Sequence, residues 1–391
     1  MTNVFIIGSH GYTKNYGGWE TFVHGLIDNR IDGSIHYYVF EISNDKNEDK
    51  KETLINGVTC ITLYIKQTGS ISMVLFDYYA TKFGIDYVKS HKIENPIFFY
   101  LGLRIGPYIW FKKKKIKKMG IRIFENPAGI EWKRTKWNRL VQLYTFIAAK
   151  MMASSVDYLI CDNGGVLDEY HKFRCCRKIK KTVIAYGTYP RKDLDVNVPS
   201  EIASFYDEYG IKPKDYYLIL GRLVPENNYE LMLSEIKKYK GQKKFLIICN
   251  IKKENKFYKK LKNKFKLEND HRVIFAGELY DQNKLAYVRQ NAFAYIHGHS
   301  VGGTNPGLLE ALSNTDLCIL FDCVFNKEVG KNNVLYFSRE EHLSEVLLFS
   351  ETISNNEIKK FGEKSRENMK NNYSWDLICR QYEKVFKGES N

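Results

Sequence analysis

The stretch AYIHGHSVGGTNPGLLEA, residues 294–311, contains the change from strand to helix that decides the fold. An apolar run of strand length leads into a glycine pair, and Asn305 and Pro306 then provide a helix cap and a first-turn proline before an apolar helical segment. Free main-chain N–H groups and the positive end of a helix dipole bind phosphate at such a turn. We therefore expect the main chain of Gly302, Gly303, Thr304 and Asn305 to hold a phosphate group, the alternative being a helix that is merely capped.

Glu310 lies one turn inside the helical segment that follows this cradle. A carboxylate at that position can accept hydrogen bonds from the ribose hydroxyls of a nucleotide whose phosphates lie at the helix N-terminus. Glu310 is therefore a second candidate binding group of the same segment.

Short apolar runs alternate with helical segments through both halves of the chain. Strand-like runs lie at residues 4–7, 37–42, 97–100, 122–125, 158–161 and 182–185, and again at 216–220, 244–249, 273–276, 294–297 and 318–321. This β-α rhythm predicts an α/β fold with two Rossmann-like, doubly wound domains facing a central cleft. Ligands of such sheets bind beyond the carboxyl ends of the strands.

The length of the chain agrees with two domains. At 391 residues it exceeds one ordinary hydrophobic core. The hydrophilic stretch 188–200 separates the halves, and an amphipathic helix begins near Ser374. We predict an N-terminal domain of residues 1–190, a C-terminal domain of 191–372 and a final helix of 373–391 that returns to the first domain.

The amino-acid composition limits the classes of molecule that the protein is expected to bind. The excess of 60 Lys and Arg over 45 Asp and Glu gives a net charge of +15, which favours anionic ligands or surfaces. No nucleic-acid recognition motif accompanies that charge, so we expect no nucleic-acid partner. We also expect a cytoplasmic protein without a membrane span, because the chain has neither a basic leader nor a long apolar run. The eight scattered cysteines lack a C-x-x-C pair and predict free thiols.

The loop after the first strand contains Gly8 and Gly11, followed by Gly17, Gly18 and Glu20. Gly8 and Gly11 do not complete the G-x-G-x-x-G fingerprint of dinucleotide enzymes, which argues against an oxidoreductase. The later glycine pair either lets the main chain approach a ligand or forms an ordinary tight turn. Glu20 is either a hydroxyl-binding carboxylate or an acid that stabilises a helix N-terminus.

Arg222 follows the strand-like run 216–220 directly after a glycine. An arginine at the carboxyl end of a strand can clamp a diphosphate through its planar guanidinium. The alternative is a surface arginine paired with a nearby acid.

A basic run follows Trp110 and Phe111. Its six lysines are Lys112, Lys113, Lys114, Lys115, Lys117 and Lys118. Aromatic residues beside clustered lysines suit the surface of an anionic leaflet, with about 1 kcal/mol for each basic residue near it. The other interpretation is a solvated helix face.

Three strings, YGGWETF at 16–22, GRLVPENNYE at 221–230 and GGTNPGLLEA at 302–311, carry a resemblance over almost the whole chain. The chain resembles glycosyltransferase family four, and more closely the bacterial rhamnosyltransferases of capsule and cell-wall polysaccharide synthesis. The resemblance implies a GT-B fold and retaining transfer from a nucleotide-diphosphate sugar such as dTDP-rhamnose. It also implies that no metal is required and that the acceptor is a saccharide on a polyprenyl diphosphate.

The same resemblance distributes the candidate residues between two sites. Gly17, Gly18 and Glu20 fall on the acceptor side, in the first domain. The donor side comprises residues of the second domain, namely Arg222, Asn227, Gly302, Gly303, Thr304, Asn305 and Glu310. Arg222 also has a catalytic role, because a cation on the diphosphate stabilises the leaving group without a metal.

The chain departs from the family pattern at two places. Where relatives are expected to read N-P-D-G-H-E-W, residues 126–132 have Ala128 and Ile130, and Ser300 stands where a Glu is expected. Glu131 either compensates as a catalytic carboxylate or is a helix-start acid. We predict a glycosyltransferase located peripherally on the inner face of the plasma membrane, the alternative being a catalytically silent sugar-nucleotide or glycan-binding homologue of the same pathway.

Overall fold

A computed structural model describes residues 1–14, 17–66, 69, 71–127, 129–194, 198–251 and 255–389. Tyr16 and Ala128 of the sequence motifs, and residues 195–197 of the predicted linker, lie outside the described residues. The chain divides into two compact units, one of Met1–Gly187 with Trp375–Asn391 and one of Thr188–Ser374. The predicted domain boundary after residue 190 lies three residues from the division after Gly187.

The first unit contains eight strands and six helices within its described residues. The strands are β1 (Thr2–Ile7), β2 (Ile35–Ser43), β3 (Glu52–Ile55), β4 (Val58–Tyr64), β5 (Pro96–Leu101), β6 (Arg122–Asn126), β7 (Tyr158–Cys161) and β8 (Lys180–Val183). The helices are α1 (Gly18–Asp28), α2 (Ile71–Ser90), α3 (Gly106–Lys118), α4 (Arg139–Ala153), α5 (Gly164–His171) and, at the end of the chain, α14 (Trp375–Lys387).

The first sheet has the order β3-β4-β2-β1-β5-β6-β7-β8 and is parallel except for β3, which pairs antiparallel to β4. Strand β3 is therefore an antiparallel edge strand on an otherwise parallel sheet. Asn56 and Gly57 form a two-residue turn with φ of 50° and 75°. Asn-Gly with positive φ at both positions is the preferred hairpin turn, and it folds β3 back against β4.

The second unit is wholly parallel in its described strands. These are β9 (Tyr216–Leu220), β10 (Lys244–Ile248), β11 (Val273–Gly277), β12 (Ala294–His297), β13 (Cys318–Phe321) and β14 (Leu335–Phe337). Its helices are α6 (Ser200–Tyr209), α7 (Tyr229–Lys238), α8 (Lys256–Phe265), α9 (Gln282–Asn291), α10 (Pro306–Asn314), α11 (Val324–Gly330), α12 (Leu343–Thr352) and α13 (Asn355–Tyr373).

The order of the second sheet is β11-β10-β9-β12-β13-β14, so the strand order reverses between β9 and β12. In the first sheet the corresponding reversal lies between β1 and β5. A ligand of a doubly wound sheet binds outside the carboxyl ends of the strands at such a switch point. The loops that follow these four strands are therefore the candidate ligand-binding loops.

All eleven strand-like runs of the sequence are strands, with ends shifted by at most two residues. The expected thiols are also confirmed, because the eight cysteines are unpaired and six of them are buried. Among the described residues, no helix is both long enough and apolar enough to cross a bilayer.

Helix α14 belongs to the first unit although it ends the chain. The Tyr382 ring lies 5.2 Å from that of Phe22, and its hydroxyl accepts a hydrogen bond from Asn126. The indole of Trp375 lies directly over Gly25 of α1, where a Cβ atom would come 2.0 Å from a ring carbon. Close contact between α1 and α14 thus requires glycine at position 25.

Replacing Gly25 with Ala should destabilise the first unit. The change gains about 1 kcal/mol of helix propensity, but the added methyl group forces Trp375 out of its place, and we expect a net loss of about 2 kcal/mol. Chemical unfolding followed by tryptophan fluorescence measures this loss. Gly33→Ala is the matched control, since a Cβ there meets nothing within 4 Å. A Gly25→Ala protein as stable as the wild type would contradict this packing.

Candidate functional site

Two loops meet at the switch point of the second sheet. Residues 221–228 follow β9, and residues 298–305 follow β12, its parallel neighbour. The main-chain oxygen of Glu226 accepts hydrogen bonds from both the N–H (3.0 Å) and the hydroxyl (2.9 Å) of Ser300. The Asn228 amide also donates to the Gly298 oxygen at 2.8 Å. These bonds fix the loops to each other.

Gly298 is required by the closeness of the loops. A Cβ atom at this position would lie 2.3 Å from the main-chain oxygen of Asn227. Any other residue would force the two loops apart, so glycine here is a consequence of backbone approach.

Asn227 and Arg222 lie together on the β9 side of this site. The Asn227 amide nitrogen donates to the Arg222 oxygen at 2.7 Å, and its amide oxygen lies 2.8 Å from Nδ1 of His299. The Arg222 side chain is exposed. Asn227 therefore positions the loops, and the predicted donor-binding roles of both residues stay predictions.

The predicted cap and helix start at Asn305 and Pro306 are confirmed. Helix α10 begins at Pro306, and the Asn305 amide oxygen accepts from the N–H of Gly307 at 2.9 Å and of Leu308 at 3.4 Å. Within the described part of the chain, the main-chain N–H groups of Gly302 and Gly303 donate to no other residue. The open N–H groups of this turn thus lie before the helix, while the first helical turn is capped from within.

Glu310 has a partner that sequence reasoning missed. Its carboxylate pairs with Arg289 of α9, whose guanidinium is almost fully buried. This pair fixes one carboxylate oxygen, and the side chain remains about one third exposed. The predicted hydrogen bonds to ribose would therefore use the second oxygen of an oriented carboxylate.

Two further buried polar groups lie at this edge. His297 ends β12, and burial lowers its pKa to about 3, so its ring is neutral at pH 7. Neither its Nε2 nor the Glu226 carboxylate has a hydrogen-bond partner among the described residues. Buried polar atoms without partners are costly, and a ligand or water is the usual partner in such cases.

At the switch point of the first unit, Glu20 lies in the first turn of α1 and is buried. Its carboxylate accepts from the main-chain N–H of His10 at 2.7 Å and lies 2.9 Å from the His10 ring nitrogen. Burial raises the pKa of Glu20, but the hydrogen bonds from His10 outweigh that effect and hold the pKa below its ordinary value. Gly17 precedes α1 and Gly18 begins it, and both are exposed.

Arg104, in the loop after β5, joins the two loops of this switch point. Its guanidinium donates to both oxygens of buried Asp77, at 2.7 and 3.2 Å, and to the main-chain oxygen of Gly8 at 2.7 Å. Gly8 has a φ of 121°, and a Cβ there would lie 2.4 Å from the Leu101 oxygen. His10 follows β1 and Arg104 follows β5, the two strands between which the strand order reverses. That position just after a flanking strand is the sequence signal that could have identified both residues as part of the site.

Glu131 begins a short 3₁₀ helix, Glu131–Lys133. One carboxylate oxygen pairs with Arg134 at 2.6 Å, and the other accepts from the Trp137 indole at 3.0 Å. Neighbouring Ile130 is buried. Both oxygens thus have local partners, and a catalytic role for Glu131 stays a prediction.

The basic run forms the second half of α3, where Phe111 is 73% exposed. Lys113 donates to the Ser154 oxygen at 2.9 Å and Lys117 pairs with Asp157 at 2.6 Å, so these two lysines are engaged. The other four lysines project from exposed positions, namely Lys112, Lys114, Lys115 and Lys118.

Family comparisons agree with the division of the chain. Residues 204–373 match the family described as glycosyl transferases group 1, and residues 1–189 match a domain of unknown function, DUF1972. An uncharacterized glycosyltransferase of Methanocaldococcus jannaschii is 22% identical over 331 residues, which is 80% of this chain and 77% of the relative.

Solved structures match the whole chain in fold. A sucrose-phosphate synthase from Thermosynechococcus elongatus has a TM-score of 0.76 at 14% identity, with 99% of each chain covered. An E. coli structure titled trehalose-6-phosphate bound with UDP-2-fluoro glucose has a TM-score of 0.74 at 11% identity, with 100% of each chain covered. Anabaena HepE with UDP and glucose has a TM-score of 0.70 at 12% identity, with 99% of each chain covered.

The two-domain α/β fold is that of the GT-B class, and the chain contains a domain that matches the glycosyl transferases group 1. The group 1 glycosyltransferase domain is the second unit, which contains the paired loops after β9 and β12.

Replacing Glu20 with Gln should make a pH-dependent difference to stability. A carboxylate whose pKa is lowered in the folded state stabilises it above the unfolded pKa, and this contribution is lost as the pH falls through the folded pKa. We expect Glu20→Gln to cost about 2 kcal/mol near neutral pH and progressively less below about pH 4.3.

Denaturant unfolding of both proteins across this pH range checks the expectation. Glu201→Gln is the control, because Glu201 is also a first-turn acid, of α6, but is exposed. A gap between wild type and Glu20→Gln that does not change with pH would exclude the ionised Glu20–His10 contact.

Proposed function

We propose that the protein transfers a sugar, with rhamnose from dTDP-rhamnose as the first candidate, to a saccharide carried on a polyprenyl diphosphate. The observation that carries the proposal is the turn before α10, where the N–H groups of Gly302 and Gly303 face no partner among the described residues. This turn lies beside the loop of Arg222 at the switch point. Similar structures containing UDP or a UDP sugar support a nucleotide-sugar donor.

In the proposed reaction the donor diphosphate lies against residues 302–305 and the Arg222 guanidinium. Negative charge grows on the diphosphate as the bond to the sugar breaks, and a preorganised cation with a helix N-terminus stabilises that charge. The leaving group is then stabilised without a metal. The Glu310 carboxylate, oriented by Arg289, accepts hydrogen bonds from the ribose.

Gly17, Gly18 and Glu20 provide the acceptor side in this proposal. Glu20 is ionised at neutral pH and held by His10, so it can accept a hydrogen bond from an acceptor hydroxyl. Retention of configuration in this fold does not need the two closely spaced carboxylates of a retaining hydrolase. We therefore assign no nucleophile, and Glu131 is proposed only as an accessory carboxylate.

The test is release of nucleoside diphosphate from dTDP-, UDP- and GDP-sugars, with and without lipid acceptor extracted from membranes. We expect acceptor-dependent release from one donor. Arg222→Ala should weaken donor affinity at least tenfold, because a charge-assisted contact to phosphate is lost. Arg339→Ala is the matched control, since Arg339 is exposed in the same unit but follows the edge strand β14.

The outcomes separate the proposal from its rival. Binding of a nucleotide sugar without release, across the whole panel, would favour the catalytically silent homologue. Unchanged donor affinity in Arg222→Ala would exclude the diphosphate contact while leaving the transferase assignment intact.

We further propose that α3 docks the enzyme on the inner face of the plasma membrane. Lys112, Lys114 and Lys115 are exposed beside Phe111, and each should contribute about 1 kcal/mol of attraction to an anionic leaflet. Replacing all three with Gln should lower partitioning onto phosphatidylglycerol vesicles by about two orders of magnitude.

Vesicle sedimentation at low and high salt measures this effect. The matched control replaces three exposed lysines of α8, Lys256, Lys259 and Lys262, with Gln and keeps the same net charge change. Equal losses for the two triple variants would attribute binding to net charge and would contradict docking through α3.

A further inference from the structure

The first unit contains a cavity of about 590 Å³ that the proposed donor and acceptor residues do not use. It lies between α3, α4 and the end of α5, with a wall formed by Trp110, Trp132, Phe146 and Phe173. The rings of Trp132 and Phe173 lie 5.5 Å apart, and those of Phe146 and Phe173 also lie 5.5 Å apart. Trp132, Phe146 and Phe173 thus form a continuous aromatic part of this wall.

The charged groups of the cavity are mostly cations. Lys150, Lys172 and Arg174 line it together with one carboxylate, that of Glu169. Glu169 pairs with Lys172 and, at 2.8 Å, with Lys133, so its charge is already compensated. Lys150 and Arg174 have no carboxylate partner among the described residues. The cavity therefore favours an anion.

An exposed apolar stripe on α4 leads to this cavity. Leu140, Leu143 and Ile147 are exposed by 79%, 56% and 45%, and they are spaced three and four residues apart on one helix face. Lys150 follows Ile147 by three residues and continues the stripe to the cavity. An exposed apolar helix face of this extent marks an interaction site. Because the end of the stripe at the cavity is cationic, a ligand would place its anionic group there and its apolar part along α4.

We propose that this cavity binds an anionic phosphate group joined to an apolar chain, with the phosphate between Lys150 and Arg174 and the chain along the α4 stripe. The lining does not suit a saccharide. The one carboxylate among the described lining residues is engaged, and the Ser154 hydroxyl donates to the Met151 oxygen at 2.8 Å, which leaves few acceptors for sugar hydroxyls. The inference rests on the proposed function in so far as a lipid-borne acceptor would supply such a ligand.

Cys175 offers a direct probe, because it lines the cavity and is partly exposed. Its alkylation by N-ethylmaleimide can be followed by peptide mass spectrometry in the full chain. Cys323, partly exposed in the second unit, is the internal control for the phosphatidylglycerol probe. Its thiol contacts the His299 oxygen in the loop after β12, so a diphosphate can also protect it by binding at the proposed donor site. The probes are geranyl diphosphate for isoprenoid phosphates and dihexanoyl phosphatidylglycerol for phospholipids, with inorganic phosphate and octyl glucoside as comparisons.

We expect one or both amphiphilic phosphates to slow alkylation of Cys175 about tenfold at ten times the dissociation constant, with Cys323 unaffected by the phosphatidylglycerol. The effective probe identifies the lipid class. Arg174→Gln should weaken this protection about tenfold, because the phosphate loses a charged donor. Arg177→Gln, an exposed arginine of the same 3₁₀ helix that does not line the cavity, should not.

Protection by octyl glucoside to the same extent, absence of protection by both phosphates, or full protection in Arg174→Gln would overturn the proposal. These results are independent of donor turnover. If the chain transfers sugar to its lipid acceptor while Cys175 remains unprotected, the proposed function stands and this site is excluded. If Cys175 is protected but no sugar is transferred, this site stands and the proposed function is excluded.

Discussion

The main-chain oxygen of Glu226 is the point on which the candidate donor site depends. It accepts two hydrogen bonds from Ser300 and so joins the loop after β9 to the loop after β12. Parallel strands on either side of a reversal deliver their loops to opposite sides of a crevice, and only specific contacts bring such loops together. Together with the contacts of Asn227 and Asn228 to the second loop, these bonds fix the relation of Arg222 to the glycine pair at 302 and 303.

The same contacts give Ser300 a structural role at a position where the family pattern leads us to expect a glutamate. The serine hydroxyl turns back to the protein main chain and donates to the Glu226 oxygen. The buried carboxylate of Glu226 and Nε2 of the neutral His297 ring remain nearby without partners among the described residues. These polar groups lost their contact with water when the protein folded, so a ligand that binds at this edge does not bear that free-energy cost. The groups are also already oriented, which favours binding of the ligand.

Much of the fold could be predicted because the relevant signals are local. Apolar runs identified all eleven predicted strands, and Asn305 and Pro306 identified the start of α10. The β3–β4 hairpin was missed although Asn56-Gly57 signals it, since β3 has only four residues and is partly exposed. Strand β14, three residues long, lacks a run long enough to recognise.

The site was predicted less completely, because the partners of its side chains are distant in sequence. Glu310 pairs with Arg289 on another helix, and Arg104 reaches Asp77, 27 residues before it. No local sequence pattern predicts such pairs, because they depend on how the helices pack against the sheet. The burial of a charged residue also depends on packing that is distant in sequence: Glu125 lies inside strand β6, and full burial raises its pKa well above the ordinary value.

The central claim is that a nucleoside diphosphate binds at the switch point of the second unit. A crystal structure of the chain with dTDP or UDP tests it most directly. The account predicts phosphate oxygens within hydrogen-bonding distance of the N–H groups of Gly302 and Gly303 and of the Arg222 guanidinium, with the ribose at Glu310. A nucleotide bound elsewhere, or phosphates that avoid both loops, would contradict the account.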